Sequence, residues 1–421
     1  MTVPSDAAAA HAARAITTRD EAAQLDAADP LAPLRDTFLL PHDVIYLDGN
    51  SLGPLTRQAR AQAMKTVDEE WGEGLIRSWN TAGWVHLPRS VAAKIAPLIG
   101  ASADNLVVTD STSVNLFKVL TVALEKVDPS RRVVLSEPGN FPTDLYIAES
   151  VARLKGAELR LAEDLGAALS SDVGVVLATE VDYRTGRRHD MTALTAAVHD
   201  AGALMIWDLA HSAGAFPVDL AASDADFAIG CGYKYLNGGP GAPAFLYAAP
   251  RHFDMRQPLS GWFAHAQPFA FEPTFRPAPG IERFLTGTAP VLSLCAFNAA
   301  LDVFGDVDMT ALRAKSVALC ELFIARVEAL CGDHVSLASP RDPAHRGSQV
   351  SFHCAMGYPV MQALIARGVI GDFRAPDILR FGMAPLYVRH VDVFDAAEQL
   401  ADILASRSWD QEAFHKRSAV T

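Results

Sequence analysis

Short apolar runs alternate with amphipathic stretches through the middle of the chain. The runs at 106–109, 132–135, 173–178, 203–207 and 227–230 have the length and continuity of strands buried on both faces. Helical patterns follow them to about residue 126, through residue 155 and over 192–200, and Gly202 is typical of a helix end. This repeated order predicts an α/β fold with a mainly parallel central sheet flanked by helices.

The flanking parts of the chain have a different pattern. Thr18 and Glu21 form a capping-box signature at a helix start, a strand is predicted at 45–47, and a helix runs from about Thr56 to Glu70. Residues 256–290 are rich in proline and aromatic side chains, which predicts a long loop. Helices at 291–304, 309–331 and 391–406 and strands at 349–353 and 378–381 predict a smaller α+β domain. The predicted division is an N-terminal segment (1–48) packing with the small domain, a large domain (49–290) and the C-terminal small domain (291–421).

Composition narrows the classes of partner. The 421 residues carry 36 basic and 49 acidic side chains, a net charge of -13, so no basic excess favours nucleic-acid binding. No uncharged apolar run approaches the ~18 residues of a membrane helix, and the N-terminus lacks a secretory signal. Five widely spaced cysteines favour reduced thiols. We therefore expect a cytoplasmic protein that binds neither nucleic acid nor membrane.

An acid and a lysine follow two of the predicted strands. Asp208 ends the run at 203–207, and Lys234 follows the run at 227–230. Ligands of parallel sheets bind at the carboxyl ends of the strands. A pyridoxal phosphate (PLP) site uses such a pair, the lysine as a Schiff base with the cofactor aldehyde and the acid to keep the pyridine nitrogen protonated. A helix-capping acid and an unrelated surface lysine fit the same spacing.

Further polar clusters lie at predicted strand ends. Thr112 and Ser113 open a helix, where hydroxyl and free N–H groups bind phosphate, although ordinary N-capping uses the same residues. Phe141 could stack on a flat ring and Asp144 could accept a hydrogen bond, or the two could be a hydrophobic staple and a helix cap.

Three more side chains are candidates near the pair. His211 lies three residues after Asp208, so on a helical turn it could donate to that acid and orient it. Tyr233 precedes Lys234, and its phenol could bind phosphate or relay a proton. Arg380 has apolar neighbours and suits bidentate capture of a carboxylate, although a salt bridge would explain it equally.

Metal and nucleotide sites are not predicted. No P-loop or Rossmann glycine pattern is present. The candidate metal ligands lack the spacing of known zinc sites; they are His189, Asp190, His211, His353 and Cys354.

Several motifs in this order resemble the kynureninase family, within the class V aminotransferase superfamily of fold-type I PLP enzymes. The resemblance runs from about residue 17 to 405. It is carried by residues 46–53, 71–74, 78–80, 141–144, 207–212, 231–241, 261–262, 380 and 384–387.

The resemblance implies a homodimer with shared active sites that hydrolyses L-kynurenine to anthranilate and L-alanine, with 3-hydroxykynurenine a poorer substrate. The large domain would bind PLP. Lys234 would be the Schiff-base lysine and the base at Cα, and Tyr233 would relay protons. Asp208 would contact the pyridinium nitrogen, His211 would support Asp208, and Phe141 would stack on the ring. The other implied cofactor contacts are Thr112, Ser113, Tyr233 and Asp144 of the same subunit and Trp262 and Thr288 of the neighbouring subunit. The implied substrate contacts are Arg380 at the α-carboxylate and Trp79 and Gly287 near the aryl ring.

Two other functions remain open at this point. A cysteine desulfurase or another class V PLP enzyme shares the superfamily, but a desulfurase needs a catalytic thiol and usually a histidine where Tyr233 stands. Cys320, Cys331 and Cys354 occur in apolar or mixed contexts typical of core residues. A non-catalytic binding protein on the same fold would lack the colour of bound PLP.

Overall fold

The computed structural model describes residue 10 and residues 13–417. The helices are α1 (Arg19–Ala28), α2 (Arg57–Lys65), α3 (Ser78–Thr81), α4 (Leu87–Ile95), α5 (Thr112–Lys126), α6 (Pro142–Lys155), α7 (Met191–Asp200), α8 (Val291–Ala300), α9 (Met309–Cys331), α10 (Gly357–Ala366), α11 (His390–Ser406) and α12 (Glu412–His415). The strands are β1 (Ile45–Tyr46), β2 (Leu106–Val108), β3 (Val133–Ser136), β4 (Glu158–Leu161), β5 (Val173–Thr179), β6 (Leu204–Asp208), β7 (Phe227–Gly230), β8 (Phe245–Ala248), β9 (Ser336–Leu337), β10 (Gln349–His353), β11 (Val369–Ile370), β12 (Asp372–Arg374) and β13 (Ile378–Gly382).

The central sheet has seven strands in the order β2-β8-β7-β6-β5-β3-β4. β8 is antiparallel to both of its neighbours, and the remaining pairs are parallel. This confirms the predicted α/β fold with a mainly parallel sheet. In the register, Asp208 lies between Thr179 of β5 and Ile229 of β7, so the acid stands at the carboxyl edge of the sheet.

A hydrophobic core covers each face of this sheet, and its buried strands therefore appear in the sequence as continuous apolar runs. Val176 and Ala178 of β5 join the core on one face, while Val175 and Leu177 join the core on the other. The strand alternates its side chains between two cores, so its positions before Thr179 carry no polar side chain.

A second sheet of four antiparallel strands has the order β12-β13-β10-β9. Its register places Arg380 of β13 between Ser351 of β10 and Asp372 of β12. β1 pairs with β11 in parallel beside this sheet.

The N-terminal segment makes polar contacts with the C-terminal helices. The Asp26 carboxylate accepts hydrogen bonds from the backbone N–H groups of His390 and Val391 at 2.7 and 3.0 Å. The ammonium of Lys315 lies 2.7 Å from Asp29. Residues 1–9 and 11–12 of the predicted segment lie outside the described part.

The sequence patterns missed some elements. β4 is a polar, partly exposed edge strand and shows no buried-strand pattern. β8 is a buried apolar run that directly follows a stretch rich in glycine and proline, and it was not predicted. α4 and α10 were not predicted either. The predicted helix from Thr56 ends as an α-helix at Lys65 and continues as a π-helical turn over Thr66–Trp71. Among the described helices, none has the length and apolar character that crossing a membrane requires.

Candidate active site

Lys234 stands on a short irregular segment after β7, and its backbone is held from two sides. The N–H of Gly53 donates to the carbonyl of Tyr233 at 2.7 Å, and the N–H of Asn237 donates to the carbonyl of Lys234 at 2.9 Å. A Cβ at Gly53 would lie 2.4 Å from the Lys234 carbonyl oxygen, so only glycine permits this approach. The Lys234 Nζ lies 5.8 Å from the centre of the Phe141 ring.

The lysine faces a cavity at the carboxyl edge of β5, β6 and β7. The cavity is lined by Thr112, Phe141, Asp144, Thr179, Tyr183, Asp208, Ala210, His211, Cys231, Tyr233 and Lys234. Seven of these are sequence-predicted site residues, and they meet because their segments all follow strands of one sheet edge. A larger cavity of about 760 Å³ lies beside residues 62–82 and contains none of them.

Two buried carboxyl groups share this cavity. Asp208 closes β6 and accepts a hydrogen bond from the N–H of Ala210 at 2.8 Å, while Asp144 lies in the first turn of α6. Burial raises the pKa of both groups; the Asp208 charge raises the pKa of Asp144 further, and Lys234 opposes both shifts. Within the described chain no N–H or hydroxyl group donates to Asp144 Oδ2. A proton on Asp144 can bridge to Asp208, and the raised pKa values favour a shared proton, which a further positive charge would oppose.

The ring of His211 bonds to Gln349 rather than to Asp208, where the sequence placed its partner. His211 Nδ1 lies 3.0 Å from Gln349 Oε1. Gln349 Nε2 donates to the Tyr183 carbonyl at 3.1 Å, which leaves Oε1 as the acceptor and assigns the proton to Nδ1. Burial, followed by the charges of Lys234 and Arg380, lowers the pKa of His211 well below its ordinary value, so the ring is neutral. Gln349 comes from the four-stranded sheet and was missed because 138 residues separate it from His211.

The predicted phosphate-binding residues open α5. Ser111 is the N-cap, and its hydroxyl accepts from the N–H of Val114. Thr112 and Ser113 are half-buried, and their hydroxyls have no hydrogen-bond partner among residues 13–417. Two unengaged hydroxyls at the N-terminus of a 15-residue helix are suited to an anion.

A buried ion pair supports this helix start. Asp110 has a φ of 51°, and its carboxylate pairs with Lys118, which is fully buried. Both Asp110 oxygens also accept from the Thr286 hydroxyl at 2.8 Å. Asp110 therefore ties the start of α5 to the segment that leads to Gly287 and Thr288. Sequence reasoning missed Lys118 and Thr286, which show no local signal.

Six predicted site residues do not line the lysine cavity of this chain, namely Trp79, Ser113, Trp262, Gly287, Thr288 and Arg380. Trp262 Nε1 donates to the Thr288 hydroxyl at 3.3 Å, and Gly287 and Thr288 are exposed. Trp79 is half-buried, with its ring 6.0 Å from the rings of both Trp84 and Phe263.

Arg380 is 1% exposed, and most of its hydrogen-bonding capacity is directed inwards. Its Nη1 donates to the carbonyl of Tyr183 at 2.7 Å, and its Nη2 donates to the hydroxyl of Ser51 at 2.7 Å and to Asp372. The Nε has no partner in the described residues. Tyr183 also lines the lysine cavity, so Arg380 borders that cavity through Tyr183.

Comparison with known proteins decides the family. The model of the kynureninase C-terminal domain matches residues 312–400. A kynureninase of Burkholderia mallei (strain SAVP1) is 56% identical over 414 residues, which span 96% of this chain and all of that protein. The chain belongs to the kynureninase family.

Solved structures similar to this kynureninase-family chain have the same fold at much lower identity. C-DES, solved with glycine covalently linked to its PLP cofactor, has a TM-score of 0.77 at 18% identity and covers 87% of this chain and 99% of its own. The apo cysteine desulfurase of Thermococcus onnurineus NA1 has a TM-score of 0.74 at 18% identity, with 89% and 98% covered. These neighbours confirm the fold-type I architecture, and at this identity they carry no argument for a desulfurase.

The thiols of this kynureninase-family chain also disfavour that alternative. All five cysteines are buried and unpaired. Burial raises the pKa of the Cys320, Cys331 and Cys354 thiols, and also that of Cys231 at the cavity wall. A catalytic thiol needs a lowered pKa and access to substrate.

Proposed function

We propose that this chain hydrolyses L-kynurenine to anthranilate and L-alanine with PLP as cofactor. The observation that carries the proposal is that Lys234 faces the buried carboxyl pair of Asp144 and Asp208 within one cavity of a kynureninase-family chain. One water is consumed, because the Cβ–Cγ bond is replaced by a Cβ–H bond and a carboxylate.

The residues present fit PLP in three ways. Among the described residues, Lys234 is the one cation that lowers the pKa of both Asp144 and Asp208, and a protonated pyridine nitrogen at Asp208 would add a second positive charge. The unengaged hydroxyls of Thr112 and Ser113 at the start of α5 would hold the phosphate. Phe141, whose ring lies beside Lys234 Nζ, would lie against the flat ring.

When bound, PLP supplies an aldehyde that reacts with amines and a ring that stabilises negative charge next to the substrate amine. Lys234 would take the proton from the substrate Cα. Asp208 would hold the proton on the ring nitrogen, and neutral His211 would contact the cofactor without adding a competing positive charge. The nearby Cys231 and burial raise the pKa of Tyr233, so its phenol stays protonated and can donate a proton to Cβ.

Substrate contacts follow from the remaining predicted residues. Arg380 would bind the α-carboxylate through its unengaged Nε–H, a charge-assisted hydrogen bond to one carboxylate oxygen. Trp79 and Gly287 would border the aryl ring with apolar surface, and an unpaired 3-hydroxyl group there would cost ~1–3 kcal/mol. This accounts for the preference that we propose for kynurenine over its 3-hydroxy form.

We further propose a cytoplasmic homodimer in which each site takes Trp262 and Thr288 from the other subunit. Both residues lie outside the lysine cavity, where Thr288 is exposed and Trp262 is half-buried, and this position supports the proposal. The proposed organisation is a large PLP-binding domain at 49–290 and a small domain at 291–421 packed with segment 1–48, supported by the contacts of Asp26 and Lys315.

The activity test combines colour and fluorescence. The purified protein should absorb visible light as a PLP protein does, and L-kynurenine should yield fluorescent anthranilate in multiple turnovers. Lys234→Ala should keep the fold and lose turnover. A yellow protein that makes no anthranilate would refute the substrate, a colourless one would refute the cofactor, and sulfide release from L-cysteine would favour a desulfurase.

Complementation tests the shared site. Lys234→Ala and Trp262→Ala proteins, each inactive, are mixed under conditions that exchange subunits. A mixed dimer has one site with both intact residues, so about a quarter of wild-type activity should return. No recovery after verified exchange would place both residues in one subunit's site.

A further inference from the structure

A buried charge cluster surrounds Arg380 behind the lysine cavity. Asp372 is opposite Arg380 across the β12–β13 pair and binds its Nη2. The Nη2 of Arg374 lies 2.6 Å from the same Asp372 oxygen. The Ser51 hydroxyl accepts a hydrogen bond from Arg380 at 2.7 Å and donates one to the Asp372 carboxylate at 3.3 Å. Asp48 Oδ1 is 4.0 Å from Arg380 Nη2.

The hydrogen bonds of Arg380 are distributed unevenly. A guanidinium carries five N–H groups. Asp372, Ser51 and the Tyr183 carbonyl take three of them, while Nε–H and one N–H of Nη1 have no partner within residues 13–417. These two donors lie on different edges of the guanidinium, so a further carboxylate can accept from one of them, and the buried charge favours an anion there.

We infer that Asp372 is a positioning residue, and Ser51 its auxiliary, which together fix the Arg380 guanidinium in the orientation that binds the α-carboxylate of an amino-acid ligand. The inference rests on the role given to Arg380 in the proposed function. Neither residue touches the ligand in this scheme; each acts through Arg380.

The charge balance of the cluster supports an anionic ligand. Two guanidinium groups, Arg374 and Arg380, share the Asp372 carboxylate. Burial and the Asp372 charge raise the pKa of Asp48 to about 7, so the Asp48 carboxyl is neutral in part of the molecules near neutral pH. With Asp48 neutral, the cluster carries one net positive charge, which a single carboxylate neutralises.

Asp372 could either position Arg380 for the ligand or compete with the ligand for Arg380, and the two roles predict opposite effects of its removal on carboxylate binding. If Asp372 only competed with the ligand for Arg380, removing its charge would strengthen carboxylate binding. If Asp372 positions Arg380, its removal leaves a guanidinium that is 1% exposed without its anchor, and binding weakens. The loss of a charge-assisted bond predicts at least about a ten-fold rise in Kd.

The test uses a pair of amines on the holoprotein. L-alanine and ethylamine differ by the carboxylate alone, and their Kd values are read from the visible absorbance of the bound cofactor. Asp372→Asn should raise the Kd of L-alanine about ten-fold and leave that of ethylamine unchanged. Asp377→Asn is the matched control, because this acid of the same hairpin pairs with His353 at 3.0 Å instead of with Arg380.

If Asp372→Asn does not fold, Ser51→Ala tests the same inference. Loss of one hydrogen bond from the guanidinium to an uncharged acceptor should raise the L-alanine Kd about three-fold and leave the ethylamine Kd unchanged. An unchanged or lowered L-alanine Kd, or equal shifts for both amines, would overturn the inference.

The outcomes also separate this inference from the proposed function. A wild-type protein that makes no anthranilate but prefers L-alanine in an Asp372-dependent way would lose its proposed substrate and keep the positioning role. A wild-type protein that makes anthranilate and binds both amines equally would overturn the positioning role alone.

Discussion

Replacing Asp48 with asparagine should remove a pH-dependent cost of folding. Asp48 is largely buried in the turn between β1 and α2, and its Oδ1 has no hydrogen-bond partner among the described residues. Burial, followed by the charge of Asp372, raises its pKa from 3.8 to about 7. The folded protein therefore binds more protons than the unfolded chain between about pH 4 and pH 7, and wild-type stability falls as the pH rises through that window.

The magnitude follows from the size of the pKa shift. About three pKa units at ~1.4 kcal/mol each give a cost of about 4 kcal/mol above about pH 7, whereas at about pH 5 the cost is about 1.5 kcal/mol. Asp48→Asn keeps the shape of the side chain and removes this charge. The stability difference between variant and wild type should therefore grow by about 2.5 kcal/mol from about pH 5 to about pH 8.

Thermal denaturation at matched scan rates measures the difference. For a chain of 421 residues, about 2.5 kcal/mol corresponds to about 3 °C in Tm. Asp43→Asn, on an exposed acid of the same segment, is the control and should show a pH-independent difference. If the Tm difference of Asp48→Asn were the same at both pH values, or if the variant lost stability at the higher pH, Asp48 would not be a buried acid that ionises near neutrality.

Three further substitutions test the site. Asp208→Asn should release the cofactor during dialysis, since the ring nitrogen loses its buried counter-charge; full retention of visible absorbance would assign that nitrogen another partner. Gly53→Ala should lower kcat at least about ten-fold, because the added Cβ would displace the Lys234 backbone. Gly305→Ala is the control and should have wild-type kcat, because its Cβ would meet its nearest atom at 3.4 Å; equal kcat values for the two variants would contradict the close approach at Gly53. Asp110→Asn should cost about 3–5 kcal/mol and lower Tm, because Lys118 is left buried without a counter-charge, and an unchanged Tm would show that the pair is not needed.

The sequence predicted best those strands in which consecutive residues are all buried. β5 and β6 lie between two cores, so their buried sides produce continuous apolar runs. β4 lies at the sheet edge with partly exposed residues, and its polar sequence is compatible with a loop. The pattern therefore reports burial, and it identifies strands only where burial and strand coincide.

The same distinction applies to the site. Asp208, Lys234 and Asp144 each follow or end a strand of one sheet, so chain order alone places them at the same edge. Gln349 and Asp372 belong to the four-stranded sheet, and the contact of Gln349 with His211 depends on how this sheet packs against the central sheet. Local sequence carries no signal for such contacts.

The turn at residues 48–53 joins these two parts of the site. At one end, the carbonyl of Leu47 accepts from the N–H of Gly382 at 2.7 Å, two residues after Arg380 on β13. At the other, the N–H of Gly53 donates to the Tyr233 carbonyl at 2.7 Å, one residue before Lys234. A six-residue connection anchored at both ends restricts the separation between the arginine strand and the lysine segment. In the proposed function, Arg380 and Lys234 would receive the carboxylate and amine of one substrate. These groups are two bonds apart through Cα, so their receptors would need a fixed spacing, and this turn is a covalent connection that would help to fix it.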